Sequence, residues 1–256
     1  MSDALRMAFG TLTTWKVPPP REITPRVAGR AMLLAPLVML PLLTVVALPL
    51  WLLWLVGYTP PPAVLAAVLM AVHVLSTRGM HLDGIADTAD GLSASYDRTR
   101  ALEVMKSSDI GPSGVAAIAL ALAVQITALA HLAANGALLT AGVAVLASRQ
   151  SLAWSCHRRV PAATPSGLGA TVAGSVSTVA LGISTLMLFT VGIAASLASG
   201  LSVVVTVAPV VAAIAATLVL LARCRSRLGG ITGDVLGAGV ELSFTAALAA
   251  AALAVA

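Results

Sequence analysis

Arg78-Gly-Met-His-Leu-Asp-Gly-Ile-Ala-Asp-Thr-Ala-Asp-Gly-Leu92 is the stretch on which the reading of this chain turns. The 256 residues contain ten acids, and six of them (Asp83, Asp87, Asp90, Asp97, Glu103 and Asp109) fall within 27 positions. No acid stands between Ile110 and Gly233. Asp83, Asp87 and Asp90 recur at i, i+4 and i+7, which on a helix puts all three on one face. Carboxylates side by side repel one another unless a cation holds them. Hard oxygen ligands favour Mg²⁺, Mn²⁺ or Ca²⁺, and Mg²⁺ takes only one or two carboxylates and completes its shell with water and substrate phosphate. Small neighbours (Gly84, Ala86, Ala89, Gly91) leave room for a bulky ligand to approach the backbone. A merely solvated acidic helix face does not account for small and apolar residues on both sides.

Outward from that stretch the chain is apolar: 59% hydrophobic, 10% charged, with a mean hydropathy of +0.98. A soluble domain carries roughly 25% charge, so the composition predicts an integral membrane protein. Apolar runs at 31–56, 61–77, 113–134, 136–156, 171–199, 201–222 and from the last glycine-rich turn to the C-terminus predict an all-α polytopic bundle of about seven transmembrane helices. One domain covers 1–256. The net charge of +5 would suggest nucleic acid in a soluble chain; here the basic residues serve topology, and no nucleic-acid partner is expected. With the N-terminus in the cytoplasm, the outward turns at 57–62, 135–136 and 199–200 carry no charge, and all 15 Lys and Arg residues fall on the cytoplasmic side. The acids fall there too. Burying six of them in mid-bilayer would cost roughly 15–20 kcal/mol, at ~3 kcal/mol each, so the site is expected at the cytoplasmic surface.

Several single residues carry two readings. Arg149, in Ser148-Arg149-Gln150, interrupts the fourth span; it is either an anion ligand facing the acidic cluster or a snorkelling side chain. His73 reads as a packed or hydrogen-bonded histidine. Cys156 and Cys224 have no metal spacing and read as free thiols on the cytoplasmic side. Residues 1–30 lack an apolar run before a cleavage site and are not expected to be a signal peptide; Phe9, Leu12 and Trp15, at helical spacing, lie at the bilayer surface or pack inward. Asp234 and Glu241 are seven apart on one helical face, after the glycines 229–233. Those glycines suit a backbone anion cradle, or Asp234 simply caps its helix. A carboxylate-held metal flanked by Arg78, Arg98, Arg100, Lys106 and Arg149 is equipment for phosphoryl transfer.

The motifs point to a family. His81-Leu-Asp83-Gly84-Ile-Ala86-Asp87-Thr-Ala-Asp90-Gly91-Leu92 resembles the signature of the cobalamin synthase family (adenosylcobinamide-GDP ribazoletransferases). Glu103-Val-Met-Lys106-Ser-Ser-Asp109-Ile-Gly111-Pro-Ser-Gly114 resembles the segment that follows it. Gly229-Gly230-Ile-Thr232-Gly233-Asp234-Val-Leu-Gly237-Ala238, with Glu241, resembles the C-terminal motif.

The resemblance implies a Mg²⁺-dependent enzyme of the inner membrane, active on the cytoplasmic side. A hydroxyl of α-ribazole or α-ribazole 5′-phosphate attacks the cobinamide-linked phosphorus of adenosylcobinamide-GDP. GMP leaves, and adenosylcobalamin or its 5′-phosphate forms. On this reading Asp83, Asp87 and Asp90 hold Mg²⁺, and Asp90 or Asp87 takes the acceptor's proton. His81 hydrogen-bonds phosphate or acceptor, Lys106 and Arg149 offset diphosphate charge, Asp234 holds a second metal or contacts substrate, and Glu241 contacts substrate. Membrane lipid is an expected partner, and the sequence leaves a homo-oligomer open. Two alternatives stand beside it. A CDP-alcohol phosphotransferase of lipid synthesis also uses an aspartate motif, but Asp87 follows Ala86 where that motif has Arg. A cation-coupled transporter would place ionisable residues on broken helices near the midplane, away from where the acids are expected.

Overall fold

In the computed structural model, which describes residues 1–107 and 109–255, the chain forms helices and turns, with no strand among the described residues. α1 (Asp3–Leu12) packs on α2 (Pro25–Val38). Leu12 is buried and packs inward, whereas Trp15, on which Phe9 stacks at 5.7 Å between ring centroids, is 42% exposed. α3 (Leu40–Leu55) continues from α2 after a break at Met39, just ahead of Pro41, which has no N–H to give the ladder. No residue of α3 is buried.

The chain continues through α4 (Pro62–Ser76), α5 (Met80–Ala94), α6 (Arg98–Val104), α7 (Pro112–Ala134), α8 (Leu138–Ser155) and α9 (Leu168–Val172). Three long helices complete it: α10 (Thr178–Ser199), α11 (Val203–Leu228) and α12 (Gly233–Ala254). Five stretches are long and apolar enough to cross a membrane: α2 with α3, α7, α10, α11 and α12. The pair α4 and α5 qualifies only jointly, and it is bent by 84°. The count therefore differs from the expected seven. α4 has only 15 residues, and Ser148-Arg149-Gln150 lowers the hydropathy of α8.

α8 is nonetheless the central helix. It packs against α2, α10, α11 and α12, and all but a few of its residues are buried. Its polar residues can sit mid-helix because they face protein and not lipid. Outward faces carry Leu120, Leu186, Leu197 and Val219, all largely exposed, as a bilayer-facing surface requires.

The sharp bend after α4 positions the acidic helix. Arg78 adopts φ 57° and Gly79 φ 69°. The Gly79 N–H donates to the Val74 carbonyl and the Arg78 N–H to Leu75, which closes the helix as a Schellman motif with a non-glycine at its left-handed residue. α5 then departs at a steep angle and packs against α12, α7 and α6. We read α5 as lying along the charged end of the bundle, outside the spans.

α5 and α12 meet backbone to backbone. A Cβ on Gly84 would lie 2.7 Å from the Asp234 carbonyl oxygen and 3.0 Å from Gly237 Cα; one on Gly237 would lie 3.2 Å from the Met80 carbonyl oxygen. Only paired glycines allow that approach, and it carries Asp234 to the acidic face of α5. The α8–α10 connection folds over the same end. Ile231 N–H donates to the Pro161 carbonyl and Ala163 N–H to the Ile231 carbonyl, tying this connection to the turn before α12 and seating α9 beside it.

Candidate active site

Four sequence-derived residues come together where α5 crosses α12. Asp83 is exposed, Asp87 and Asp234 are half-buried, and His81 is buried with both ring nitrogens lacking a hydrogen-bond partner. Burial, and after it the charges of Asp83, Asp234 and Asp90, pushes the Asp87 carboxyl up to about 6. The carboxylates feel one another across the two helices, which is the repulsion a cation would relieve.

Asp234 is not the cap of α12. Thr232 fills that position: its Oγ1 accepts the Val235 N–H at 3.2 Å and itself donates to Asp234 Oδ2 at 3.2 Å. The threonine thus fixes both the start of the helix and the aim of the carboxylate, which sits in the positive first turn.

Asp90 has a different employment from the ligand and base expected of it. One oxygen accepts the Gly111 N–H at 2.7 Å and the other the Gly114 N–H at 2.8 Å. It is buried at 7% exposure. A carboxylate whose two oxygens each accept a backbone amide acts as the N-terminal anchor of α7. A Cβ on Gly111 or Gly114 would come within 2.5 Å of those oxygens, so the following motif's glycines exist to let Asp90 in.

Arg149 and Glu241 lie in a buried polar layer beneath the carboxylates. The Arg149 guanidinium donates to Ser148 Oγ at 2.9 Å and lies 3.3 Å from His73 Nε2. His73 stacks on Phe244, which agrees with its reading as a packed, hydrogen-bonded residue. Glu241 Oε1 accepts from Gln125 Nε2 at 2.6 Å, and Gln125 also donates to Thr245. Arg149 thus neither snorkels nor reaches the carboxylate face in this arrangement. Gln125 had no role in the sequence reading; its signal was an isolated amide in an apolar span.

Lys106 lies elsewhere. With Arg98, Thr99, Glu103 and Thr164 it lines a separate cleft of about 300 Å³ between α6 and the α8–α9 connection. Cys156 and Cys224 are free and buried.

Among the described residues no three His, Cys, Asp or Glu side chains converge tightly enough to enclose a metal ion. The donors suit a different arrangement: hard carboxylate oxygens, one or two per ion, with substrate phosphate completing the shell, as Mg²⁺ prefers. Beside them is a cavity of about 220 Å³ into which His81, Asp83 and Asp234 look. A larger apolar groove, about 430 Å³ between α3 and α4, α8 and α12, has no carboxylate in its lining. Of these two cavities, only the smaller has carboxylates in its lining.

The family model described as cobalamin-5-phosphate synthase matches residues 4–252, nearly the whole chain. The chain belongs to the cobalamin-5-phosphate synthase family. A relative from a Nocardioides species, named adenosylcobinamide-GDP ribazoletransferase, is 44% identical over 98% of this chain and 98% of its own length. Relatives of the same name from Frankia casuarinae and Syntrophobacter fumaroxidans are 36% and 35% identical, each over 95% of this chain and over 92% and 97% of their own lengths. No solved structure matches the chain. In this member of the cobalamin-5-phosphate synthase family, two sequence-distant motifs, on α5 and α12, lie side by side.

Proposed function

We propose that this protein transfers the cobinamide phosphate of adenosylcobinamide-GDP to a hydroxyl of α-ribazole or its 5′-phosphate, releasing GMP. The observation that carries this reading is the full-length family match, together with the convergence of both motifs at the α5–α12 crossing. Relatives matched end to end bear the transferase name, and no observation favours lipid-head-group transfer or transport.

Asp83, Asp87 and Asp234 are the carboxylates from which one or two would hold a Mg²⁺, which when bound neutralises charge on the diphosphate. Asp87, half-buried between Asp83 and Asp234, is placed to accept the acceptor hydroxyl's proton when it is not itself the metal's ligand. His81 faces the acceptor from the cavity wall. Asp90 holds α5 to α7 and so fixes the register of the acidic face. Arg149 and Glu241 support that face from below, and Lys106 with Arg98 offers positive charge at the neighbouring cleft, where the leaving nucleotide would pass. Placement in the inner membrane with this end toward the cytoplasm is supported by the gathering of Lys and Arg in the segments around the site.

The test is turnover. Purified protein in lipid nanodiscs, given adenosylcobinamide-GDP and α-ribazole, is expected to release GMP and form a cobalamin in equal amounts. GMP release without α-ribazole, or no release from folded protein, would contradict the reading.

A further inference from the structure

We propose that the 220 Å³ cavity between α1, α2, α5, α8, α9 and α12 is the seat of the acceptor's aromatic base, with His81 as its polar contact. The inference rests on the transferase reading and assigns this site one of its two substrates. Its argument is the character of the wall. Leu12, Met32, Met80, Leu152, Leu168 and Leu236 make it apolar, and the two methionines present adaptable, polarisable sulfur. Among the described residues no lysine or arginine lines it, so it is not built for a diphosphate. Its polar side chains are His81 and Asp83 from α5, Asp234 from α12 and Thr11 from α1.

Size separates the two substrates. At about 220 Å³ the cavity lies below the usual range for drug-sized ligands. A corrin macrocycle does not fit it; a bicyclic base with two methyl groups does. α-Ribazole is such a molecule, flat and apolar at the base and hydroxylated at the sugar. With the base among the leucines and methionines, the sugar hydroxyls face Asp83 and Asp234, where the phosphorus of the other substrate must come.

His81 supplies the second observation. It is 3% exposed, it lines this cavity, and neither Nδ1 nor Nε2 has a partner among the described residues. A buried imidazole without hydrogen bonds is costly and implies a ligand atom or water in the cavity. A riboside of benzimidazole carries the ring nitrogen and hydroxyls that would satisfy it.

Two experiments test this on the full-length protein in nanodiscs. The first uses the unmutated protein and a benzimidazole riboside bearing a diazirine on its six-membered ring. Labelling is expected at Met32, Met80 or Leu152 and is expected to be competed away by α-ribazole. Labelling elsewhere, or none that α-ribazole competes with, overturns the proposal. The second compares steady-state constants. Leu152→Phe and His81→Phe are expected to raise KM for α-ribazole about tenfold or more, with KM for adenosylcobinamide-GDP changed far less, and His81→Gln is expected to recover part of the loss. A rise confined to adenosylcobinamide-GDP overturns it. Failure of the unmutated protein to release GMP counts against the transferase reading instead, and the labelling pattern still decides the cavity.

Discussion

Asp90 Oδ1 accepts the Gly114 N–H at 2.8 Å while its other oxygen holds Gly111, so the third carboxylate of the acidic motif locks two helices together. Asp90→Ala removes both acceptors and leaves the buried Gly114 amide and the half-buried Gly111 amide without partners, at about 1–3 kcal/mol. The expected result is a lower thermal midpoint and lower activity in parallel. A variant of unchanged midpoint with activity abolished would return Asp90 to the chemistry.

Asp87→Asn is expected to behave differently. Its carboxylate accepts no hydrogen bond from the described residues, so folding and membrane insertion should survive. Turnover should fall by at least about 10²-fold, the usual contribution of a general base. Size-exclusion elution together with GMP release measures both. Appreciable residual activity would remove Asp87 from the site.

The pH dependence follows from the raised Asp87 carboxyl. A base must be ionised, so kcat/KM is expected to fall at low pH, and because bound Mg²⁺ draws the carboxyl down from its metal-free value of about 6, the fall should move to lower pH as Mg²⁺ is raised. For folding the sign is opposite. A carboxyl whose folded-state pKa is raised favours the folded protein at low pH, and that contribution is lost as pH rises through about 6. A bound cation offsets the resulting repulsion, so the rise in thermal midpoint on adding Mg²⁺ should be larger at pH 7.5 than at pH 5, to take two values about a unit or more either side. Equal rises at both would contradict it.

Gly84→Ala places a methyl 2.7 Å from the Asp234 carbonyl oxygen. Forcing α5 from α12 is expected to cost about 1–3 kcal/mol and to reduce activity by misplacing Asp234. Wild-type stability and turnover in this variant would show that the two helices need not touch.

The sequence made much of this legible, and the places where it stopped have physical reasons. Apolar runs and the placement of charge revealed a helical membrane bundle, because lipid as a solvent leaves a strong compositional trace. The i, i+4, i+7 spacing placed Asp83 and Asp87 on one face correctly. It could not tell Asp90 from its neighbours: spacing reports the face of a helix, and the amides that occupy Asp90 come from residues 21 and 24 positions later. Depth was hidden in the same way. Glu241 shares a helix with Asp234, yet two turns carry it from the site into the buried layer with Gln125 and Arg149. α8, which the apolar runs marked as a span, is the span that composition marks least clearly, because hydropathy cannot distinguish a polar residue facing protein from one facing lipid. Met32 and Leu152 were invisible as cavity wall, since nothing local marks a leucine that lines a void.

The central claim is that carboxylates from α5 and α12 together make one metal-dependent site. The most direct measurement is a Mg²⁺ titration of GMP release after EDTA treatment, on the unmutated protein and on Asp83→Asn, Asp87→Asn and Asp234→Asn. The account predicts no turnover without added Mg²⁺, full recovery on titration, and a higher Mg²⁺ requirement or no recovery in all three variants, the α12 variant included. Full activity in EDTA, or an Asp234→Asn protein with the unmutated Mg²⁺ response, would contradict it.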